Sequence, residues 1–350
     1  MLNKKSEIKT FILVGETNVQ GRDDPVSVFQ KVMPELKTAD ILFGHMEGLL
    51  YPSTREQDLP YKPQWKHSSP DMIEAYKEAG FDAVSCASNV SYGEKAILNT
   101  IEILKGSGIE FCGIGENLKE ARKPALVEKE DLTLGFLSYT SVFWPVGLQA
   151  GENSPGAATI AATTQYEPNR RTIEMPGVPP IVRTNPVSEQ LSAMEKDIKK
   201  LKEKTDIIVL SCHWGVSKSE EITDYQQIIA HTAIEAGADL ILGHHPHVIQ
   251  PIEIWKGCPI FYSLGNFAFD WIRMRHRNKV GLMLKCMIKG KSISKVSFVP
   301  VYRNKDNLVE IFSAEESKGK EIVSKAINRS QTFGTKFNVN DEKVDIIINN

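Results

Sequence analysis

The amino-acid sequence predicts an α/β fold, and three observations support this fold class. Short apolar runs alternate with segments of helical period, and His, Glu and Asn side chains follow the ends of the apolar runs. The composition, 41% hydrophobic and 25% charged, is that of an ordinary globular protein. At 350 residues, the chain is long enough for one large α/β domain.

The first part of the chain alternates predicted strands and helices. Apolar runs predict strands at 11–14, 41–43, 81–85, 109–112, 125–129 and 132–139. Apolar residues at helical spacing predict helices at 29–36, 72–79 and 97–104. Ser69-Pro70 is typical of a helix start, and Gly80 and Gly106 are predicted to end the second and third helices.

Regular structure returns at Pro186. Apolar residues that step by 4, 3, 4 and 3 predict an amphipathic helix over 187–201. Thr223 and Gln226 fit a capping box at the start of a further helix, which ends at Gly237. Strands are predicted at 207–212, 240–242 and 260–264, followed by an antiparallel pair at 280–288 and 292–301.

Two segments lack a clear pattern. Residues 144–185 show no helical or strand period and are rich in proline, so we interpret them as a lid or an inserted arm; the alternative is a disordered linker. Residues 313–350 read as a charged tail, which leaves 1–312 as the predicted domain. Arginine recognises carboxylates and phosphates, and the candidate substrate ligands are therefore three arginines of the arm and one near the first strand: Arg170, Arg171, Arg183 and Arg22. The alternative for the arm arginines is solvation or an oligomer interface.

Charge and cysteine content exclude several classes of protein. The formal net charge of −2 does not indicate a nucleic-acid partner or an anionic membrane. Five widely spaced cysteines without a CxxC pair are typical of reduced thiols in a cytoplasmic protein. The apolar run at 11–14 is far too short for a signal peptide or a membrane span.

Polar side chains follow six of the predicted strands. They lie in the segments Gly15-Glu16, GHMEG at 44–48, ASN at 87–89, HWG at 213–215, GHHPH at 243–247 and Gly265-Asn266. Because parallel strands deliver their carboxyl ends to one edge of a sheet, where ligands bind, we expect these side chains to lie together. Core packing does not explain six such strand ends.

The HHPH motif predicts a metal site. In an extended segment, residues two apart face the same way, so His245 and His247 would present their imidazoles to one point. Together with His213 and the carboxylates of Glu16 and Glu47, they form a ligand set that suits Mn, Fe, Co or Zn. We expect one or two divalent ions, as in hydrolytic centres. The alternative is that these histidines are plain surface or core residues.

Long segments of the chain resemble a known family. HWG at 213–215 and AHTAIEAGADLILGHHPHVIQPIEIWKGCPIFYSLGNFAFD at 230–270 are similar to the CapA family of poly-γ-glutamate capsule biosynthesis proteins. Weaker similarity runs through GETNVQGR at 15–22, HMEGLL at 45–50 and EAGFDAVSCASN at 78–89. The resemblance covers residues 10–302 apart from the arm. It implies a metallophosphatase-like sandwich of two mixed β-sheets flanked by helices.

The resemblance also implies a metal-binding set, with two departures from the family pattern. The family's ligands fall on Glu16, Glu47, Asn89, His213, His245 and His247. Glu16 stands where the family usually has Asp, and Val90 stands where metallophosphatases have the His that protonates the leaving group. The second departure predicts poor turnover of generic aryl phosphates, unless His45 or His67 supplies the proton.

These features together predict a cytoplasmic metal-dependent enzyme, a hydrolase that acts on a small carboxylate- or phosphate-bearing substrate. We expect catalytic roles for His213, Asn89 and Asn266. Two alternatives remain: a non-enzymatic accessory protein in poly-γ-glutamate or cell-envelope biosynthesis, and a metal-dependent lyase built on the same site. The family's frequent N-terminal membrane anchor is not seen in this sequence, so we do not expect a capsule-export role at the cell surface. A homo-oligomer is left open.

Overall fold

A computed structural model describes residues 8–52, 65–144 and 146–348 of the protein. The strands are β1 (Ile8–Asn18), β2 (Ile41–Met46), β3 (Ala83–Ser85), β4 (Glu110–Cys112), β5 (Ile114–Gly115), β6 (Ala125–Lys129), β7 (Leu132–Thr140), β8 (Gly156–Ala157), β9 (Ala162–Glu167), β10 (Ile181–Pro186), β11 (Ile207–His213), β12 (Leu240–His244), β13 (Ile252–Trp255), β14 (Cys258–Phe261), β15 (Asn266–Phe269), β16 (Val280–Lys289), β17 (Ser292–Arg303), β18 (Val309–Ile311), β19 (Phe337–Val339) and β20 (Val344–Ile346). The helices are α1 (Met33–Leu36), α2 (Ile73–Ala79), α3 (Glu94–Ser107), α4 (Leu118–Ala121), α5 (Ser188–Lys202), α6 (Asp224–Ala236) and α7 (Ser317–Ser330). Residues 1–7 of the predicted domain and Pro145 of the predicted arm lie outside the described residues.

Two mixed sheets form the body of the protein. The first has the order β19-β20-β17-β16-β1-β2-β3-β4, with β15 beside β1 and β18 beside β17. The second has the order β13-β14-β12-β11-β7-β6. Strands β1 to β4 run parallel in the first sheet, as do β7, β11, β12 and β14 in the second, while hairpin strands run antiparallel at the margins.

An apolar core joins the two sheets. Phe43 of β2 stacks on Phe136 of β7 at 4.5 Å between ring centroids, and Phe11 of β1 meets the same ring edge-on at 6.0 Å. Three helices pack on the outer faces of the sheets: α3 covers the first, and α5 and α6 cover the second. The predicted fold class, a sandwich of two mixed sheets flanked by helices, is confirmed. Within the described ranges, no helix combines the length and the apolar character that crossing a bilayer requires.

Several element boundaries were predicted correctly and others were not. The capping box at Thr223 and Gln226 is present, and Gly80 ends α2 in the left-handed conformation. Helix α3 continues through Gly106 and ends at Ser107, and the Gly108 that follows has a φ of +76°, the left-handed geometry that glycine adopts without strain. The strand predicted at 260–264 ends at Phe261, and the separate strand β15 begins at Asn266.

The arm contains strands that the sequence pattern does not indicate. Strands β9 and β10 form an antiparallel ribbon, in which Gln165 pairs with Arg183. The ribbon is mostly exposed on both faces. Because neither face is buried, its sequence does not alternate between apolar and polar residues. The interpretation of the segment as an inserted arm stays a prediction, and the expectation that it lacks regular structure is wrong.

The charged C-terminal segment differs from the expectation of a tail. Helix α7 buries Ile322, Val323 and Ala326 in the core between the sheets, and β20 pairs with β17. Its charged residues lie on the opposite face of an amphipathic helix, which is why the composition looked like that of a solvated tail.

Candidate functional site

The carboxyl ends of three strands bring two carboxylates and an imidazole together. Glu16 lies in β1, Glu47 directly follows β2, and His247 lies in the loop after β12. One ligand atom from each of the three lies within 4.8 Å of the others, and all three side chains are buried. His247 Nδ1 forms an ion pair with Glu16 Oε2 and lies 3.9 Å from Glu47 Oε2.

Three further predicted ligands adjoin this group. The ring centroids of His213 and His245 are 4.8 Å apart, and Asn89 Nδ2 lies 3.5 Å from His245 Nδ1. His245 connects the two groups, because its ring centroid is 5.7 Å from that of His247. The structure therefore places all six residues in one buried cluster, hereafter the His-Glu cluster: Glu16, Glu47, Asn89, His213, His245 and His247.

The loop that carries the two histidines is not extended, which corrects the geometric basis of the prediction. His245 and His247 have φ values of +92° and +57°, a region that non-glycine residues occupy at a cost of about 1–3 kcal/mol each. The backbone N–H of His245 donates to Glu16 Oε1. The imidazoles are thus brought together by two strained bends, and backbone strain of this kind clusters at functional sites.

Two glycines allow the backbone to pass close to its neighbours beside the cluster. A Cβ on Gly243 would lie 1.8 Å from the carbonyl oxygen of Tyr262, and a Cβ on Gly15 would lie 2.4 Å from that of Gly265. The pairing of β1 with β2 shifts register between Val14 and Glu16, so Gly15 lies in a β-bulge that re-aims the side chain of Glu16.

The residues present fit a divalent metal. His213 Nε2 and Asn89 Oδ1 are buried atoms with no hydrogen-bond partner within residues 8–52, 65–144 and 146–348, and each can offer a lone pair. Metal–ligand bonds of about 2.0–2.2 Å place two ligands of one ion at most about 4.4 Å apart. The 4.8 Å span of Glu16, Glu47 and His247 is within a small side-chain movement of that separation.

The electrostatics of the cluster also favour a cation. Burial raises the pKa of Glu16, but the adjacent imidazoles, with His247 foremost, outweigh it and hold this pKa below its ordinary value. Burial lowers the pKa of His247, but Glu16 and Glu47 outweigh it and raise the value to about 9. In the metal-free protein the imidazolium of His247 offsets one of the two buried carboxylate charges, and a divalent cation that displaces this proton would balance both.

A polar network lies behind the cluster, between the two sheets. His45 Nε2 is 3.0 Å from His213 Nδ1, His45 Nδ1 is 2.9 Å from Ser85 Oγ, and Ser211 Oγ donates to Ser85 Oγ at 2.8 Å. The ring of His244 stacks on that of His45 at 4.3 Å. Burial lowers the pKa of His45 and of His213 well below the ordinary value, so both rings are neutral at pH 7.

The sequence motifs indicate His45 only as a possible proton donor, and they do not connect it with His213. A signal for the network was present in the strands, where inward-facing positions two residues apart change from apolar to polar. Phe43 is followed by His45 in β2, and Leu242 by His244 in β12.

The position that the family fills with a catalytic His is part of an apolar wall. Val90 is fully buried and packs with Trp65, with Tyr92 and Trp271 beside them. His67 lines a nearby cavity of about 740 Å³, and burial lowers its pKa to about 4. His67 is therefore neutral at pH 7, and its proton is not available in the way that a general acid requires.

Of two other predicted residues, Asn266 contacts the His-Glu cluster and Arg22 does not. Asn266 pairs with Glu16 across β15 and β1, and its Oδ1 lies 3.0 Å from His247 Nδ1. Arg22 lines the same cavity as His67, and its Nε donates to Asp270 Oδ2 at 2.6 Å while its Nη2 donates to the carbonyl of Asn307. Asn266 is thus placed to orient His247, whereas Arg22 is held by other groups of the chain.

The arm arginines lie on the exposed ribbon. Arg170 and Arg171 are in the short 3-10 helix at its tip, and Arg183 forms an ion pair with Glu167 of the facing strand at 3.3 Å. At its base the arm is anchored to α6, since Thr184 N donates to Asp224 Oδ2 at 3.0 Å.

Comparison with known proteins gives a consistent family assignment. The family model for the bacterial capsule synthesis protein PGA_cap matches residues 11–271. The chain is 27% identical over 330 residues to the capsule biosynthesis protein CapA of Bacillus anthracis, which covers 92% of this chain and 72% of that protein. It is 30% identical over 276 residues to the PGA biosynthesis protein CapA of Bacillus subtilis strain 168, which covers 77% of this chain and 63%, less than two thirds, of that protein.

Among solved structures, the chain is similar to a novel phosphatase from Mycoplasma pneumoniae, with 12% identity and a TM-score of 0.49 over 85% of this chain and 94% of that one. The family match begins in β1 and continues past β15, which carries Asn266. The chain therefore belongs to the bacterial capsule synthesis protein family PGA_cap, the CapA family that the sequence motifs resemble.

Proposed function

We propose that this protein is a metal-dependent hydrolase that acts on a small carboxylate- or phosphate-bearing substrate in the synthesis of a capsule or polyglutamate polymer. The observation that carries the proposal is the burial of Glu16 and Glu47 against His247, with His213, His245 and Asn89 beside them. The relatives named for capsule and PGA biosynthesis supply the biological setting. A cytoplasmic location is part of the proposal and is supported by the five free cysteines.

The cluster divides into two sets of ligands. Glu16, Glu47 and His247 would hold one divalent ion, and His213, His245 and Asn89 would complete a second position beside it. Bound metal in such a site supplies Lewis-acid polarisation of a carbonyl or phosphoryl oxygen and lowers the pKa of water. Mn, Fe, Co and Zn all suit this mixture of imidazole, carboxylate and amide.

The chain's own residues provide orientation and exclusion of water. Asn266 Oδ1 lies against His247 Nδ1 and fixes the direction of that ring. Trp65 and Val90, both fully buried, form an apolar wall next to Asn89, which limits the water that can reach this side of the cluster. Low local polarity strengthens the interactions of charged groups inside the cluster.

The apolar wall has a consequence for substrate preference. A leaving group such as p-nitrophenolate depends less on protonation than an alkoxide, for which a positioned acid is worth about 10²- to 10⁴-fold in rate. With Val90 at the position of the acid, we expect hydrolysis of alkyl phosphates to be slower than that of p-nitrophenyl phosphate by more than the leaving groups alone impose. Val90→His is expected to narrow this difference.

The replacement of the catalytic His by Val90 favours a second candidate function. A protein that retains the cluster but not the proton donor could serve as a non-enzymatic accessory in polymer synthesis. In that case the cluster binds metal and an anionic ligand without turnover.

The proposal is tested by assaying protein reconstituted with Mn²⁺, Co²⁺ or Zn²⁺ on γ-linked glutamate oligomers and on phosphomonoesters. We expect metal-dependent hydrolysis of at least one class, with loss of activity in Glu47→Gln. Glu116→Gln, which changes an exposed carboxylate, is the matched control. Metal binding without turnover of any substrate would contradict the hydrolase and support the accessory role.

A further inference from the structure

We propose that His45 is a positioning residue, which orients His213 for metal binding through a chain of hydrogen bonds that crosses between the two sheets. This inference rests on the proposed metal-binding role of the His-Glu cluster. His45 lies in the first sheet and His213 in the second, so their contact also couples the two halves of the sandwich at the cluster.

The ring of His45 is fixed on three sides. Its Nε2 lies 3.0 Å from His213 Nδ1, its Nδ1 lies 2.9 Å from Ser85 Oγ, and its face stacks on His244 at 4.3 Å with 13° between the planes. Ser211 Oγ reaches Ser85 Oγ at 2.8 Å from the opposite sheet. His45 itself is fully buried, so solvent does not replace these contacts.

The tautomers of the two imidazoles determine which group donates in each hydrogen bond. His213 can offer the lone pair of Nε2 to a metal when its proton is on Nδ1. That Nδ1–H then donates to His45 Nε2, and the proton of His45 sits on Nδ1, where it donates to Ser85 Oγ. In the reverse arrangement His213 carries its proton on Nε2, and the lone pair of its Nδ1 accepts from His45 Nε2–H, so neither nitrogen is available to a metal.

The nitrogen of His213 that faces away from His45 supports the same conclusion. His213 Nε2 is buried and has no hydrogen-bond partner in the part of the chain that the structure describes, whereas Nδ1 of the same ring is held by His45. A ring held at one nitrogen and open at the other is the arrangement of a metal-ligating histidine with its outer-shell partner. Here the partner is a second, neutral imidazole.

The test compares Co²⁺ affinity in full-length wild type, His45→Leu and His45→Gln, followed by visible absorption after metal removal. Loss of an outer-shell partner lowers metal affinity by about 10- to 100-fold, and we expect this for His45→Leu. The amide oxygen of Gln can still accept from His213 Nδ1–H, so we expect His45→Gln to lose less than about threefold, within the range of one weakened hydrogen bond.

A double-mutant cycle separates positioning from a general structural role. In a His213→Ala background, His45→Leu should cause no further loss of Co²⁺ affinity, because the residue through which it acts is gone. An equal loss in both backgrounds, or wild-type affinity in His45→Leu, would overturn the inference.

A variant at the far end of the chain keeps the test decisive if His45→Leu does not fold. Ser85→Ala leaves the His45 ring in place and removes the acceptor of its Nδ1–H, and we expect a smaller loss, about 3- to 10-fold. Unchanged Co²⁺ affinity in Ser85→Ala would then contradict the proposed role of the hydrogen bonds from Ser85 through His45 to His213. If wild type itself binds no Co²⁺, the proposed metal site fails.

Discussion

At the residue scale, the dominant feature is the burial of like charges. Glu16 and Glu47 are each 1% exposed. Their negative charges raise the pKa of His247 to about 9, so the imidazolium of His247 offsets part of this charge. Buried carboxylates in proximity repel each other, so the metal-free fold retains this arrangement at the expense of stability. Functional sites often carry such a conflict between stability and activity.

The first prediction concerns this conflict. Glu47→Gln removes one buried charge with little change of shape, so the metal-free variant should be more stable than wild type by on the order of 1 kcal/mol. Its metal affinity should fall at least tenfold, because a charged ligand is lost. Urea denaturation with chelator and titration with Co²⁺ measure the two effects. A variant less stable than wild type with unchanged affinity would contradict the account, and Glu116→Gln should leave both quantities unchanged.

The second prediction concerns His67 and the dependence of stability on pH. Burial lowers the pKa of His67 from 6.5 to about 4. Between pH 6.5 and pH 4, His67 is therefore protonated in the unfolded chain but not in the folded protein. The free energy of unfolding decreases as the pH falls through this range. Between pH 7 and pH 5, wild type should lose about 2 kcal/mol more than His67→Gln. Parallel curves of unfolding free energy against pH for the two proteins would show that this group does not contribute.

At the element scale, a buried arginine organises the loop that follows β15. Arg303 in β17 is fully buried, and its guanidinium donates to the carbonyls of Phe269, Arg275, Arg277 and Asn278. Asn266 Nδ2 donates to the same carbonyl of Asn278, at 3.1 Å. Through this loop, Arg303 supports the residue that orients His247.

The third prediction follows from this arrangement. Arg303→Met leaves several carbonyls without their donor, and it should lower the unfolding free energy by about 3–5 kcal/mol, the range for breaking a buried charged interaction. Arg303→Lys should recover only part of the lost unfolding free energy, because an ammonium group cannot reach all the carbonyls that the planar guanidinium contacts. Arg170→Met on the exposed arm is the control, with a change within about 0.5 kcal/mol. Equal stability of Arg303→Met and wild type in urea denaturation would show that the loop does not depend on this residue.

The fourth prediction tests whether the arm is a lid. Replacement of residues 166–182 by Asn-Gly joins Gln165 to Arg183, which are paired in the ribbon. Stability should change by less than about 1 kcal/mol because most of the removed residues are exposed. If Arg170 or Arg171 grips the substrate, kcat/KM on the substrate found by assay should fall by on the order of 10²-fold while metal affinity stays unchanged. Full kcat/KM in the shortened protein would exclude the lid.

The elements also show what the sequence could predict. Residues at strand ends came together as predicted because β1 runs parallel to β2 and β11 runs parallel to β12, and parallel strands end at one edge. The bends at His245 and His247 could not be predicted, since positive φ at non-glycine residues is imposed by the surrounding structure. The ribbon β9–β10 has two exposed faces and leaves no period in its sequence.

At the scale of the whole molecule, the site depends on the pairing of two sheets. Glu16 and Glu47 belong to the first sheet, while His213, His245 and His247 extend from the second. The contact of His45 with His213 depends on how the sheets are aligned across the core, and no local pattern in either strand records that alignment. The types of ligand were therefore predictable from the sequence, but the hydrogen bond with His45 that holds His213 was not.

Metal binding by the His-Glu cluster can be measured by elemental analysis of protein purified without chelator. We predict about one to two transition-metal ions per chain in wild type, the range of mono- and two-metal sites. The double variant His245→Ala with His247→Ala should lose this metal while its circular dichroism stays close to that of wild type. Wild-type protein that remains metal-free after addition of Mn²⁺, Co²⁺ or Zn²⁺, or a double variant that keeps full occupancy, would contradict the account.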